Sequence, residues 1–135
     1  MCKICGVESE NILCAKCAEP LTKESAIEAG KELESALKHS VHRWKQMSYM
    51  TKKELFASGY VFIGMMHRTT INSNYCSVCE YVLTLTNSNK CSSCILYTGK
   101  WCISKLVFRD FLSAVDTDKQ EKIGLKIVSV IESKI

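Results

Sequence analysis

Two cysteine turns open the chain, Cys2-Lys3-Ile4-Cys5 and then Cys14-Ala15-Lys16-Cys17. The C-x-x-C pattern returns later, and it includes eight cysteines in all: Cys2, Cys5, Cys14, Cys17, Cys76, Cys79, Cys91 and Cys94. A C-x-x-C turn brings two sulfur atoms to one zinc ion at about 2.3 Å, and two such turns complete a tetrahedron. The spacing therefore predicts two four-cysteine zinc sites.

The intervals between the turns decide which of them share an ion. Eight residues separate Cys5 from Cys14 and eleven separate Cys79 from Cys91, and both intervals suit a loop that returns to the same metal. We prefer this sequential pairing, although interleaved pairing also satisfies the spacing. Four thiolates leave no position for water or substrate, so we expect structural zinc; a redox pair and an iron–sulfur cluster are the alternatives. The role of the ninth cysteine, Cys102, stays open.

The composition is that of a small folded protein. The chain has 135 residues, 47% of them hydrophobic, and a formal charge of +4 with neutral thiols. No apolar run is long enough to span a bilayer, and the N-terminus lacks a signal-peptide core. We therefore expect a cytoplasmic protein without membrane contact, in which thiols stay reduced and bind metal. Each four-thiolate zinc site carries two negative charges, so two sites would bring the +4 to about zero.

Apolar residues spaced by three and four predict one long amphipathic helix after the first cluster, capped by Thr22. They are Ala26, Gly30, Leu33, Leu37, Val41, Trp44 and Met47. Thr51 and Glu54 form a capping box for a short helix that Gly59 ends, and Tyr60–Ile63 has the composition of a buried strand.

A further strand is expected at Tyr81–Thr86, a helix from Ile103 to Val115, and a last helix opened by Thr117 and Gln120. The predicted fold class is a small, α-rich α+β protein. Two four-cysteine zinc fingers are joined by the long helix, and two helices close the chain. Its parts are a finger at 1–21, helices at 22–59, strands and the second cluster at 60–102, and C-terminal helices at 103–135, in one compact unit.

Residues 35–53 include several basic side chains and no acidic one. On a continuous helix, residues spaced by three and four form a stripe, which can follow phosphates while an aromatic ring stacks on a base. The predicted nucleic-acid or partner-binding residues are Lys38, His42, Arg43, Lys45, Tyr49, Lys52, Lys53 and Arg68. A solvated basic face and a surface for an acidic protein are the alternatives.

The sequence around the second set of cysteines is similar to a motif of known proteins. Its segments are Tyr75-Cys76-Ser77-Val78-Cys79, Lys90-Cys91-Ser92-Ser93-Cys94-Ile95-Leu96 and Gly99-Lys100-Trp101-Cys102. They resemble a cysteine cluster of small, mostly uncharacterised bacteriophage proteins, although Ile95 stands where proline is common. The resemblance implies that Cys102 belongs to the motif and that the protein acts in the host cytoplasm. The N-terminal finger is similar to treble-clef and zinc-ribbon fingers.

These features predict a non-enzymatic binding protein, stabilised by two structural zinc ions, that contacts nucleic acid or a nucleic-acid-handling host complex. A protein–protein adaptor, or an inhibitor of a host enzyme without nucleic-acid contact, is the alternative. We expect no catalytic residue and no small-molecule substrate. A degenerate nuclease around His67 and a thiol oxidoreductase are the enzymatic alternatives.

Overall fold

The structure is a computed structural model, and it describes residues 1–63, 69–72, 75–86, 94–96, 108, 110–114 and 116–135. The elements are, in order, α1 (Ala15–Ala18), α2 (Lys23–Ala29), α3 (Leu33–Ser48), α4 (Lys52–Ser58), β1 (Val61–Ile63), β2 (Thr69–Ile71), α5 (Ser77–Thr86) and α6 (Thr117–Glu132). The described chain is helix-rich, as expected. No helix among these residues is long and apolar enough to cross a bilayer.

The long helix expected after the first cluster is divided in two. α2 ends at Ala29, and α3 begins at Leu33 after a short turn. A Cβ atom at Gly30 would lie only 2.6 Å from the Cβ of Glu80 on α5, so glycine is what lets α5 pack against this turn. The prediction of one continuous helix is therefore wrong. Its apolar face is nevertheless buried at Ala26, Leu37, Val41, Trp44 and Met47.

The start of α2 and both ends of α4 follow the prediction. Thr22 and Thr51 cap them as capping boxes. The Thr51 hydroxyl accepts a hydrogen bond from the Glu54 N–H at 3.1 Å, and the Glu54 carboxylate accepts from the Thr51 N–H at 3.0 Å. Gly59 ends α4 with a φ of 82°, a left-handed conformation that favours glycine.

A short antiparallel ladder follows α4. β1 pairs with β2, with Val61 opposite Ile71, so the strand predicted at Tyr60–Ile63 is confirmed at three of its four residues. Its outer part is not buried, however, because Phe62 and Ile63 are exposed while Tyr60 and Val61 lie in the core.

The strand expected at Tyr81–Thr86 is wrong, because these residues form the second half of α5. The β-branched and aromatic residues of the segment suggested a strand, but Val78 and Val82 are the ones that are buried. Their spacing of four is a helical period. The hydroxyl of Ser77 donates to the carbonyl of Ala36 at 2.6 Å inside the core, which attaches the start of α5 to α3.

The last helix begins as predicted, but with a different cap. Asp116 is the capping residue of α6, and its carboxylate accepts from the Lys119 N–H at 2.6 Å; the prediction of a Thr117 capping box is wrong. Gln120 instead points inward. Its amide donates to the carbonyls of Met47, in the last turn of α3, and Met50, just after the helix, at 3.3 and 2.7 Å.

The helix expected from Ile103 to Val115 lies largely outside the described residues. Residues 110–113 are helical, and Phe111 is fully buried. Its ring meets the Trp44 ring edge-on, with centroids 5.3 Å apart. One core thus collects side chains from α3, α4, β1, α5 and α6 together with Leu96, Phe108 and Phe111.

The contact between α3 and α6 leads to a stability prediction. A Cβ atom at Gly124 would lie 1.9 Å from the Ser48 hydroxyl oxygen and 3.2 Å from the Phe111 ring. Helix propensity alone would make Gly124→Ala stabilising by about 1 kcal/mol. We expect it to destabilise the protein by about 1–3 kcal/mol instead, because the helices must separate. Urea unfolding measures the change.

Ser129→Ala is the matched control, because Ser129 lies on the exposed side of the same helix. It should change the unfolding free energy by less than about 0.5 kcal/mol. A Gly124→Ala protein as stable as the original would mean that α3 and α6 do not approach this closely.

Candidate metal centre

The cysteines of the N-terminal finger converge on one point. The sulfur atoms of Cys2, Cys5, Cys14 and Cys17 all lie within 4.8 Å of one another. The Sγ atoms of Cys5 and Cys14 are 3.7 Å apart, and the edge of a tetrahedron with zinc–sulfur distances of 2.3 Å is about 3.8 Å. The four thiols therefore match the ligand set of a closed zinc site.

Backbone hydrogen bonds shape the two turns that carry these thiols. The Cys2 N–H donates to the Val7 carbonyl at 2.7 Å, and the Lys3 N–H donates to the Ile12 carbonyl at 2.9 Å. Gly6 follows the first turn with a φ of 79°, a conformation that favours glycine. In the second turn, Cys14 caps α1, and its sulfur accepts from the Cys17 N–H at 3.5 Å.

The electrostatics of the cluster favour a cation. Backbone N–H groups, that of Cys5 foremost, lower the pKa of the Cys2 thiol to about 5. Burial and hydrogen bonds with the other thiols raise the pKa of Cys17 to about 12. A thiolate thus forms readily at Cys2, while burial and the neighbouring thiols oppose a negative charge on Cys17. A divalent ion that binds sulfur, such as Zn²⁺, would allow all four to be thiolates together.

A buried glutamine attaches the finger to the helices. The side-chain amide of Gln46, which is fully buried on α3, donates to the carbonyls of Cys17 and Glu19 at 2.8 Å each. The Tyr60 hydroxyl donates to the Gln46 carbonyl oxygen at 2.7 Å and accepts from the Leu21 N–H at 2.7 Å. The sequence reasoning missed Gln46, because one glutamine in a helix carries no motif or period that distinguishes it.

The second set of cysteines is described in part. Cys91 and Cys102 lie outside the described residues. Cys76 precedes α5, and its sulfur accepts from the Cys79 N–H at 3.4 Å; the Cys94 sulfur accepts from the Leu96 N–H at 3.4 Å. A hydrogen bond from the Cys79 side chain, assisted by the charge of Arg43, lowers the pKa of the Cys76 thiol to about 6. Among the described residues, the N-terminal set is the group whose ligand atoms lie within 4.8 Å.

The residues predicted to form a basic surface are dispersed. Lys38 forms an exposed ion pair with Glu34 at 2.8 Å. The Lys52 ammonium donates to the Gln120 side-chain oxygen at 2.7 Å. Arg43 is 1% exposed, so its placement on the binding face is corrected: it lies in the core. The remaining basic stripe does not form one uninterrupted charged face.

The other residues of that surface differ in accessibility. His42 is half-buried, and its Nε2 lies 3.2 Å from the Gln46 amide nitrogen. Burial and the nearby carboxylate of Glu121 raise the pKa of Tyr49. Lys45 is partly and Lys53 largely exposed, while Arg68 lies outside the described residues. Lys38 and Lys53 are therefore the most exposed of the described members of the set, and Lys45 is partly exposed.

No protein-family model, curated protein or solved structure matches the chain. A functional assignment therefore rests on the geometry of the thiols and on the surface formed by the described residues.

The finger geometry predicts a zinc ion that depends on each of its four cysteines. Cys14→Ser should lower the zinc content by about one equivalent per chain, because three thiolates and a hydroxyl no longer provide the closed tetrahedral set. Elemental analysis of the purified protein measures it. Lys16→Ala, between Cys14 and Cys17 and exposed, should leave the zinc content unchanged. Equal zinc content in the two variants would contradict a site at this finger.

The attachment of the finger predicts a second effect. Tyr60→Phe removes the hydroxyl that serves both Gln46 and the Leu21 N–H, and the unsatisfied buried groups should cost about 1–3 kcal/mol. Thermal and urea unfolding measure the loss, and zinc release to a chelator should become faster.

Tyr81→Phe is the control, since the Tyr81 hydroxyl makes no hydrogen bond to another described residue. Its effect on the unfolding free energy should stay below about 0.5 kcal/mol. Equal stability and equal zinc release in the two variants would show that the Tyr60 hydroxyl does not hold the finger.

Proposed function

We propose that the protein is a non-enzymatic, zinc-stabilised binding module that contacts nucleic acid or a nucleic-acid-handling host complex. The convergence of four cysteine sulfurs within 4.8 Å carries the proposal. A site closed by four thiolates stabilises a fold and offers no position to a substrate. Such a protein binds its partner through its surface, and the metal stabilises the fold that presents this surface.

The proposal includes two structural zinc ions. The first is held by the N-terminal finger, and the second by Cys76, Cys79, Cys91 and Cys94. The second ion is supported by a feature that the two sets of cysteines share: in each set, one cysteine directly precedes a helix. Cys14 accepts a hydrogen bond from the Cys17 N–H, and Cys76 accepts one from the Cys79 N–H.

Basic side chains of α3, α4 and α6 form the proposed nucleic-acid surface. The Lys52 ammonium reaches Gln120 and the Phe111 carbonyl, so the start of α4 lies against the first turn of α6. This places exposed lysines of α6 in the same part of the molecule, and they extend the set predicted from sequence: Lys119, Lys122 and Lys126. Their spacing of three and four is that of one helix face, and such a face can follow phosphates.

An adaptor function is the second candidate, favoured by exposed apolar side chains. Val7 and Ile12 of the finger are 51% and 58% exposed. Phe56, Phe62 and Ile63 are also exposed on α4 and β1. Apolar side chains that form a contiguous patch at the surface are typical of protein–protein contacts, and the finger pair Val7 and Ile12 is the candidate for such a patch. In this version the partner is a host protein, and nucleic acid is not required.

Binding to fluorescent DNA and RNA oligonucleotides at two salt concentrations tests the first candidate. Lys45→Glu combined with Lys53→Glu should weaken binding and reduce the slope of log K against log salt, by about 0.9 for each duplex-DNA phosphate that the protein no longer neutralises. Lys23→Glu with Lys31→Glu is the control, because it changes the net charge equally on exposed residues of α2 and the α2–α3 turn.

No binding at low salt, or equal reductions in affinity in the two double variants, would refute the nucleic-acid version. Capture of a defined host protein that survives nuclease treatment, and that is abolished by Val7→Asp with Ile12→Asp, would then support the adaptor.

A further inference from the structure

His39 joins α3 to α2 through a hydrogen bond between side chains. Its Nε2 atom lies 3.0 Å from the Ser25 hydroxyl oxygen on α2. The ring is partly buried, and its Nδ1 atom is buried without a hydrogen-bond partner among the described residues. A change in the charge of this ring would therefore act directly on the contact between α2 and α3.

The hydrogen bonds of Ser25 indicate which ring nitrogen carries the proton. The Ser25 hydroxyl donates its single proton to the Thr22 carbonyl at 2.8 Å, and its oxygen accepts from the Thr22 N–H at 3.0 Å in the capping box of α2. Because that proton is used, the hydroxyl can act towards His39 only as an acceptor. This network assigns the proton of the neutral ring to Nε2, so Nδ1 carries a lone pair.

The surroundings of the ring oppose a second proton. His42 and Arg43 follow His39 by three and four residues on α3, a spacing that makes them its neighbours on the helix surface. The Arg43 guanidinium does not lose its charge in proteins. Burial, and then the charges of Arg43 and His42, lower the pKa of His39 to about 4. The folded protein therefore holds the ring in its neutral form.

No carboxylate within the described part of the chain is paired with His39. That part contains all 14 acidic residues, and its ion pairs join Lys31 to Glu28 and Lys38 to Glu34. A positive charge on the ring would consequently lack the partner that makes a buried charge favourable.

The elements packed against α3 bring charges of both signs to this region. On α2 and the turn that follows it, a surface groove beside Ser25 is lined by Glu28, Lys31 and Glu32. On α5, Glu80 lies against Gly30, whereas α6 meets the core through apolar side chains. Among all these groups, Arg43 and His42 are the ones that act on the protonation of His39.

We propose that the hydrogen bond between His39 and Ser25 is an acid-sensitive connection between α3 and α2. While the ring is neutral, Nε2 donates to Ser25 and holds α2 in place. A proton on Nδ1 would create a buried positive charge beside Arg43 and a buried donor without an acceptor. The ring can accept this proton only by turning Nδ1 to water, and that movement takes Nε2 away from Ser25.

The direction of the pH effect follows from the two states of the contact. In the open contact the ring meets water and its pKa returns towards 6.5, whereas in the closed contact the pKa is about 4. The open form therefore binds the proton more readily, so the closed contact is fully present above pH 6.5 and is weakened as the pH falls towards 4. Since α2 follows the exit of the finger, an acidic medium loosens the segment that links the finger to α3.

The first test follows the ring itself in the full-length protein. Long-range proton–nitrogen correlation spectra distinguish the two neutral tautomers of histidine, and their pH dependence gives the pKa. At neutral pH the proton of His39 should reside on Nε2, and the ring should accept its second proton well below pH 6.5. A proton on Nδ1 at neutral pH, or protonation at the ordinary pKa of histidine, would overturn the inference.

The second test measures how often α2 opens. Amide hydrogen exchange in α2, corrected for the intrinsic effect of pH, should give an opening constant that rises by about 10-fold between pH 7 and pH 5. His39→Gln keeps a donor near the position of Nε2 but cannot accept a proton, so it should abolish this rise. Lys23→Gln is the matched control, because it removes a charge from the exposed start of α2 and should retain the rise.

Thiols and carboxylates titrate in all three proteins, so the difference between the variants reports His39. A rise of equal size in His39→Gln and in the original protein would overturn the inference, and so would the absence of a rise in the original protein. If His39→Gln fails to fold, the spectroscopic titration of the original protein decides between the two results.

Discussion

The side chain of Gln46 is the point at which the metal finger and the helical core meet. Its amide serves two carbonyls of the finger exit, and its oxygen accepts from Tyr60. The side chains of Gln46 and Tyr60 are fully buried, so their polar atoms would be costly if left unpaired. The finger is too small to bury its own polar backbone, and α3 supplies the partners that it lacks. Order in the finger is thereby tied to order in the helices.

Close approach between backbones is the second constraint on the fold. Gly30 admits α5 against the turn before α3, and Gly124 admits α6 against the end of α3. In both places a Cβ atom would overlap its neighbour. The Trp44 and Phe111 rings meet edge-on in the core, with Phe111 beside Gly124, and Gln120 donates to the carbonyls of Met47 and Met50. The absence of a side chain at two positions thus decides how the helices are arranged.

Different sides of α3 have different roles: core packing, attachment of the finger, and contact with solvent. One side packs the core through Leu37, Trp44 and Met47. Gln46 holds the finger, and Arg43 turns inward, where its Nη1 atom donates to the Asn72 carbonyl at 3.5 Å. Little of the helix remains for a basic surface: Lys38 is exposed but paired with Glu34, and Lys45 is partly exposed. A binding surface therefore draws on α4 and α6 as well, where lysines lie beside the contact between Lys52 and Gln120.

Local rules account for the parts that were predicted correctly. The finger cysteines, the capping boxes at Thr22 and Thr51, and the stop at Gly59 depend on residues within a few positions of one another, so the sequence contains the whole interaction. The strand expected at Tyr81–Thr86 failed because burial of Val78 and Val82 on one face of a helix outweighs the local β preference. Asp116, and not Thr117, caps α6, and Gln120 contacts carbonyls at the end of α3 and just after it.

The sequence alone determined that the chain is helix-rich and that four of its thiols near the N-terminus form one candidate metal site. The tertiary structure decided that Arg43 is buried, that Gln46 joins finger and core, and that the helix breaks at Gly30. The reason is the same in each case. A charge, an amide or a missing side chain becomes decisive only when distant parts of the chain exclude water around it, and no local spacing records which parts those are.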